Sequence, residues 1–412
     1  MSKSEFGYPA ENESPIDFSN TEIAFRSQSD GDLERAYWLF RIISINFLSK
    51  IGPPITNLAM RMGLPIKALI KATLFKHFCG GETIAECENT IKHLAKAGVG
   101  TILDYSVEGE EDEAAFDATC REIGETIEKA KFDKSVSLTV FKVTGLVPTY
   151  LLEKVSANAT LNLNEQLRYD AAWRRVHEIC KKAFENSVKV MIDAEESWLQ
   201  NAIDSIAMNM MRNFNKTEPI VYNTYQLYRR DKLADLKSDF DLAKTENFHM
   251  GAKIVRGAYL EKERLRAQEK GYLSPIHTTK QDTDRDYDKA LEFCLGNLVR
   301  LAVVVGTHNE ASCRLVVDWM VTNKISYDHP HLHFSQLLGM SDNLSFNLAN
   351  AGFNVAKYVP YGPVKAVLPY LFRRAKENTA IAGQAGRELS LIVKEKKRRA
   401  APGPASNPAP NP

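Results

Sequence analysis

"RLAVVVGTHN", residues 300–309, holds the fold of this chain in ten residues. Its centre, Ala302 to Val305, is apolar and β-branched with no polar alternation, the pattern of a strand covered on both faces. It ends in Gly306 and leaves through Thr307, His308 and Asn309. Alone, that exit reads as a turn followed by a helix cap. The pattern recurs, however, in "VGTILDYS" (99–106), "VSLTVFKVTGL" (136–146), "VKVMIDAE" (188–195) and "PIVYNTYQ" (219–226). It returns in "MGAKIVRGAY" (250–259), "HLHFSQLLG" (331–339) and "NVAKYVPYG" (354–362). A stretch with helical spacing follows each run, most clearly "EEDEAAFDATCREIGETIEKAKF", "NEQLRYDAAWRRVHEICKKAFEN" and "SWLQNAIDSIAMNMMRNF". Eight strands alternating with eight helices predict an α/β fold, a (βα)8 TIM-type barrel. No Rossmann GxGxxG or Walker loop follows a strand, which disfavours a doubly wound nucleotide fold.

Outward from the barrel, residues 1–30 read as a disordered lead-in and 31–96 as an N-terminal helical segment. The barrel itself is expected over 97–392. The stretch 393–412, a charge run followed by Pro, Ala and Asn, reads as a disordered basic tail. In the 412-residue chain, charges nearly balance at +1, and no basic stripe with interleaved aromatics marks a nucleic-acid partner. The six cysteines are scattered without a CxxC pair, as reduced packing thiols are. The acidic, polar N-terminus resembles neither a signal peptide nor an Arg-rich transit peptide, so a cytoplasmic location is expected, peripheral at the inner membrane at most. "LPIKALIKATLFKHF" (64–78) is a basic amphipathic helix. Packing on its own domain is favoured over peripheral membrane contact. Oligomeric state is not readable.

Polar residues gather at the strand exits. Glu108, Lys142, Asp193, Asn223 with Gln226, Arg256 with Tyr259, His308 with Asn309, Gln336 and Tyr358 all stand at or just past C-terminal ends. Each alone has a bland explanation: Lys142 as a snorkelling side chain, Asp193 as a helix cap. A polar residue at nearly every exit is the signature of a catalytic mouth, because all strand C-termini of a barrel open on one face. The last helix adds "YLFRRAKEN" (370–378), where Tyr370, Arg373, Arg374 and Glu377 share an arc of about 100°. Such an arc is either a solvated charged face or a carboxylate clamp, since guanidinium forks match carboxylates two bonds at a time. Bordering the mouth, it reads as the clamp.

Two chemistries compete. "HPHLH" places His329, His331 and His333 at period two, a metal-ligand pattern pointing to a metal-dependent barrel hydrolase. Those histidines open a strand, at the wrong end of the barrel, so no metal site is expected. The other chemistry is a dissociable anionic cofactor filling the mouth beside a small carboxylate substrate.

At this point the chain resembles the proline dehydrogenase family over about 80–385. The motifs are "VFKVTGL", "MIDAEES", "VYNTYQLY", "KIVRGAY", "HTTKQDTDRDYD", "GTHNE", "FSQLLGM" and "YVPYGP" followed by "YLFRRAKEN". Each is weak alone; their order and spacing carry the assignment. The resemblance implies a distorted (βα)8 barrel, non-covalent FAD, and oxidation of L-proline to Δ1-pyrroline-5-carboxylate with electrons passed to a quinone. A relative acting on hydroxyproline shares nearly all these motifs, and the sequence does not separate the two.

The same resemblance implies roles. Arg373 and Arg374 would bind the substrate carboxylate, Tyr358 and Tyr370 would pack around its ring, and Lys142 and Leu337 would line the pocket. Glu108 would gate it by pairing with Arg373. Asp193 and Ala194 would lie beside the isoalloxazine, with Lys253 near the flavin N5 side and Asn223 offering an amide. Val255, Arg256, Gly257, Ala258 and Tyr259 would approach the cofactor. Thr278, Lys280, His308, Asn309 and Glu377 would lie near its pyrophosphate, ribose or adenine. Many bacterial members carry arginine in place of Lys253 and glutamine in place of Asn223. No second aldehyde-dehydrogenase module or DNA-binding arm is evident, so a monofunctional enzyme is expected.

Overall fold

The structure, a computed structural model, describes residues 16–43, 68, 70–107, 111–380 and 384–401, with backbone only for 375–380 and 384–385. The described chain opens with α1 (Thr21–Phe25) and α2 (Asp30–Ile43). A π-helical turn (Lys71–Phe75) runs into α3 (Lys76–Phe78), followed by α4 (Ile84–Lys96). Eight parallel strands follow: β1 (Gly100–Tyr105), β2 (Val136–Phe141), β3 (Val190–Ile192), β4 (Val221–Gln226), β5 (Met250–Val255), β6 (Leu301–Gly306), β7 (Leu332–Leu337) and β8 (Val355–Tyr361). They close in sequence order, β8 pairing β1 with Thr101 opposite Lys357.

Helices lie between the strands in the order a right-handed βα unit requires. They are α5 (Glu113–Phe132), then α6 (Thr149–Ser156) with α7 (Leu163–Glu185), α8 (Ser197–Phe214) and α9 (Lys232–Thr245). Next come α10 (Leu260–Lys270) with α11 (Lys280–Leu295), α12 (Glu310–Thr322), α13 (Asp342–Asn350) and α14 (Val364–Ala380). A further helix, α15 (Gln384–Ala400), follows the barrel. Short polar side chains start these helices by taking orphan backbone N–H groups. Asn162 and Glu165 form a capping box at α7, Thr279 accepts from Asp282 N at α11, and Asn309 accepts from Ala311 and Ser312 N at α12.

Strand parity divides the core in two. Outward residues such as Leu103, Val190, Val221, Ile254, Val303 and Phe334 pack under the helices. Inward residues Ile102, Leu138, Val140, Met191, Tyr222, Ala302, Val304 and Ala356 fill the barrel. That filling makes it a packed floor and not a pore. The cysteines are free, five buried and Cys120 half-buried. Burial pushes the thiols of Cys87 and Cys313 up to about 12 and that of Cys120 up to about 11.

The disordered lead-in expected over 1–30 is corrected for its described part. Ile16 and Phe18 are buried, and Asn20 caps α1. The basic tail expected from 393 is corrected up to Ala400, which is helical. Its charges are paired: buried Glu395 binds Arg398 and Arg399, and Arg399 donates to Phe25 O (2.8 Å) and Gln28 O (3.0 Å). Residues 402–412, and 64–67 and 69 of the basic amphipathic stretch, lie outside the described residues. From that stretch Ile70, Phe75 and Phe78 pack against Val367, Leu368 and Leu371 of α14.

Candidate active site

Asp193, one residue past β3, follows the inward parity of Met191 and lies directly above the apolar floor. The same parity lifts Asp104, Lys142, Thr224, Lys253 and Tyr358 into that layer, two residues beyond Ile102, Val140, Tyr222, Gly251 and Ala356. Lys253 Nζ donates to Asp193 Oδ1 at 2.5 Å and the Tyr358 hydroxyl to Oδ2 at 2.7 Å. Lys142 Nζ stands between two carboxylates, 4.0 Å from Asp193 Oδ2 and 3.7 Å from Asp104 Oδ2. Lys253 Nζ also sits 4.8 Å from the centre of the Tyr358 ring.

Burial opposes ionisation of Asp193, but the charges of Lys253 and Lys142 and the hydrogen bonds from Lys253 and Tyr358 outweigh it. The carboxyl is held below the usual range. Tyr358 moves the other way: burial, then Asp104 and Asp193, raise it well above the ordinary phenol, so it remains a donor.

Of "YLFRRAKEN", Tyr370 lies close enough to Tyr358 to act on it electrostatically. The Arg373 guanidinium lies 5.7 Å from the ring centre of Tyr259 at the exit of β5, and that of Arg374 lies 5.1 Å from Tyr370. Tyr370 and Arg374 are buried. Leu337 pairs in register with Tyr358 and contributes an apolar wall. His308 accepts or donates at Nδ1 with Ser341 Oγ, 3.0 Å away. Burial, with Lys357, Arg374, Arg256 and Arg387 nearby, pushes its imidazole down to about 3, so it is neutral.

Several expected residues sit elsewhere. Asn223 does not face the mouth: its parity turns it outward, where its amide donates to Asp204 Oδ1 of α8 (2.9 Å). The inward amide at the end of β4 is Gln226, whose Nε2 donates to Glu195 O (2.6 Å). The Arg256 guanidinium is taken up by Asp284 (2.7 Å), Thr307 (2.9 Å) and Ser312 (3.0 Å) and stacks on Tyr287, which ties β5 to α11 and α12. Lys280 pairs with the same Asp284, and exposed Thr278 accepts from Arg230 (3.3 Å). Asn309 spends its side-chain oxygen on its cap. Val255, Gly257 and Ala258 lie at the β5 exit; a Cβ on Gly257 (φ +128°) would stand 2.4 Å from the Tyr228 ring, so only glycine fits. Ala194 is buried beside Asp193. Glu108 and the Glu377 side chain lie outside the described residues.

Sequence reading passed over two groups. Asp104 is fully buried and faces Lys142, a position that strand alternation from Ile102 marks. Glu195 accepts from Thr144 N (3.1 Å) and Oγ1 (2.6 Å), joining the loops after β2 and β3. The histidines of "HPHLH" stand at the opposite end of β7, where His331 Nδ1 bonds Leu298 O (2.6 Å). They cannot reach the mouth.

The mouth therefore sets Lys142, Lys253, Arg373 and Arg374 against Asp104 and Asp193, among three tyrosines. A donor set with cations in excess and aromatic walls fits an aromatic, anionic cofactor and a small carboxylate together.

Comparison with known proteins places the chain in a family. The family model for proline dehydrogenase matches residues 87–387. A mitochondrial proline dehydrogenase 1 of Dictyostelium discoideum is 35% identical over 96% of this chain and 77% of that protein. A hydroxyproline dehydrogenase of Xenopus laevis is 30% identical over 95% and 91%. Among solved structures, proline utilization A of Bdellovibrio bacteriovorus, inactivated by N-propargylglycine, superposes with a TM-score of 0.70 at 17% identity. That likeness covers 95% of this chain but 42% of the longer protein, and it speaks for the barrel fold. A buried acid–lysine–tyrosine cluster on a closed (βα)8 barrel, together with these matches, makes the protein a barrel oxidoreductase. This chain belongs to the proline dehydrogenase family. The cytoplasmic location expected from the polar N-terminus is corrected, because the Dictyostelium relative and two from Arabidopsis thaliana are named mitochondrial. Among the described residues no helix is long and apolar enough to cross a membrane.

Proposed function

We propose that this chain oxidises L-proline to Δ1-pyrroline-5-carboxylate with FAD as its cofactor and a quinone as final acceptor. The observation that carries the reading is Asp193 gripped by Lys253 and Tyr358, with Tyr370 of the arginine-bearing helix α14 close enough to bear electrostatically on Tyr358. In this reading Arg373 and Arg374 fix the carboxylate, while Tyr358, Tyr370 and Leu337 exclude water and orient the ring. Orientation of this kind supplies several kcal/mol of rate enhancement. Lys253, Gln226, Ala194, Val255 and His308 would hold the cofactor, and the lysine ammonium groups would face anionic charge as it develops. Bound FAD supplies the two-electron oxidation of the C–N bond. The site needs no strong base when proline enters as the free amine.

The purified protein should be yellow, with flavin bands near about 370 and 450 nm that bleach on adding proline. A colourless protein that FAD does not stabilise sinks the reading. The match to a hydroxyproline dehydrogenase favours a second substrate, and kcat/KM for proline against hydroxyproline ranks the two.

A further inference from the structure

The loop after β7, residues 338–341, is held both from the barrel and from outside it. His77 of α3 bonds Gly339 O (2.9 Å), and buried Lys357 of β8 donates to Met340 O (2.5 Å) and Asp342 Oδ1 (2.8 Å). Gln28, between α1 and α2, donates to Asp342 Oδ2 (2.8 Å). From the far end of the chain, Glu388 of α15 accepts the backbone N–H of Ser341 at 2.7 Å and lies 3.4 Å from its hydroxyl. Glu388 and Ser341 are both buried. Ser341 stands at φ +50°, a left-handed conformation that residues other than glycine, asparagine and aspartate seldom adopt. A carboxylate on its N–H helps to hold it there, and there its Oγ meets His308 Nδ1.

The Ser341 hydroxyl carries one proton and touches two acceptors. With the hydroxyl donating to Glu388 Oε1, His308 Nδ1–H donates to Oγ and the bare Nε2 is presented as an acceptor. We propose that Glu388 is a positioning residue for the mouth: acting through Ser341, it fixes the orientation and tautomer of His308 toward the cofactor. The inference rests on the flavin reading above only for the ligand that His308 meets. It assigns α15, outside the eight βα units, a part in completing the site.

The test uses the full chain with Ser341→Gly and Glu388→Gln. Glycine suits the positive φ, so the Ser341→Gly apoprotein should keep its Tm within a few degrees. Its FAD dissociation constant should rise about tenfold, the size of one lost hydrogen bond. Nitrogen NMR of histidine-labelled apoprotein should show His308 changing tautomer in both variants. Unchanged His308 resonances in Ser341→Gly overturn the proposal, as does an FAD affinity equal to the parent's. If the parent itself binds no FAD, the flavin reading fails separately, and the His308 resonances still decide the tautomer.

Discussion

Glu195 takes both the amide and the hydroxyl of Thr144, at 3.1 and 2.6 Å. Thr144 lies two residues after Lys142, and Glu195 two residues after Asp193. The bond therefore fixes the distance between the loops that bring that lysine and that acid within 4.0 Å. Gln200 accepts from Glu195 N (2.8 Å), which fastens the same loop to α8.

Glu195→Ala leaves the Thr144 amide buried without its acceptor, at a cost of about 1–3 kcal/mol. Because the loosened loops carry Lys142 and Asp193, kcat/KM for proline should fall at least about tenfold, more than the modest loss of Tm alone explains. Parent-like kinetics would reduce the tie to a loop fastener. Thr144→Val keeps the N–H and should show a smaller drop.

Asp193→Asn removes the charge facing two lysines. Breaking a buried ion pair on one side costs roughly 3–5 kcal/mol, so Tm should fall markedly. Turnover should fall more than proline affinity, because in the proposed reading the carboxylate is bound from α14 and not from β3. Steady-state kinetics beside a melting curve separates the effects. An unchanged kcat removes Asp193 from the chemistry.

Arg374→Lys keeps the charge of the clamp and loses its fork. A charge-assisted hydrogen bond is worth about 1.5–3 kcal/mol. KM for proline should rise about ten- to a hundred-and-fifty-fold with flavin retained. A carboxylate inhibitor of similar size should weaken in parallel, whereas uncharged pyrrolidine should not. Equal binding of all three ligands by parent and variant would leave Arg374 outside the clamp.

Burial and Asp342 push Glu388 up from the ordinary 4.5 to about 7, against the Ser341 amide, Lys357 and Arg387, which favour its charge. Its folded value lies above its unfolded one, so the native state binds the extra proton in that window. Its contribution to stability falls as pH rises from about 4.5 to 7. His308 slopes the other way: with a folded value about 3, the stability tied to its neutral form is lost as pH drops below about 6.5. Glu388→Gln should thus gain Tm relative to the parent between about pH 5 and pH 8. A constant difference across that range would show that Glu388 titrates normally.

The strands were legible because each is a short β-branched run ending in polar residues, and right-handed βα crossovers lay successive strands side by side. Parity was the weak point. Asn223 and Gln226 both stand near the end of β4, and only the inward register of Thr224 against Lys253 shows which amide faces the mouth. Arg256 looked like a cofactor ligand because its motif does; its partners Asp284 and Ser312 come from α11 and α12, which local spacing cannot foresee. The charge run after residue 393 reads as solvated until Glu395 and the carbonyls of Phe25 and Gln28 supply its partners. Pairing across some 370 residues leaves no local trace.

The five buried thiols also give the molecule internal clocks. Cys79 follows α3, and Cys87, Cys180, Cys294 and Cys313 sit on α4, α7, α11 and α12, each buried and held in its unreactive form, while half-buried Cys120 on α5 serves as the reference. A thiol reagent can label such a site only when its own helix lifts from the barrel. Labelling rates, resolved by mass spectrometry, would therefore time the opening of the helical coat sector by sector, without a single engineered probe.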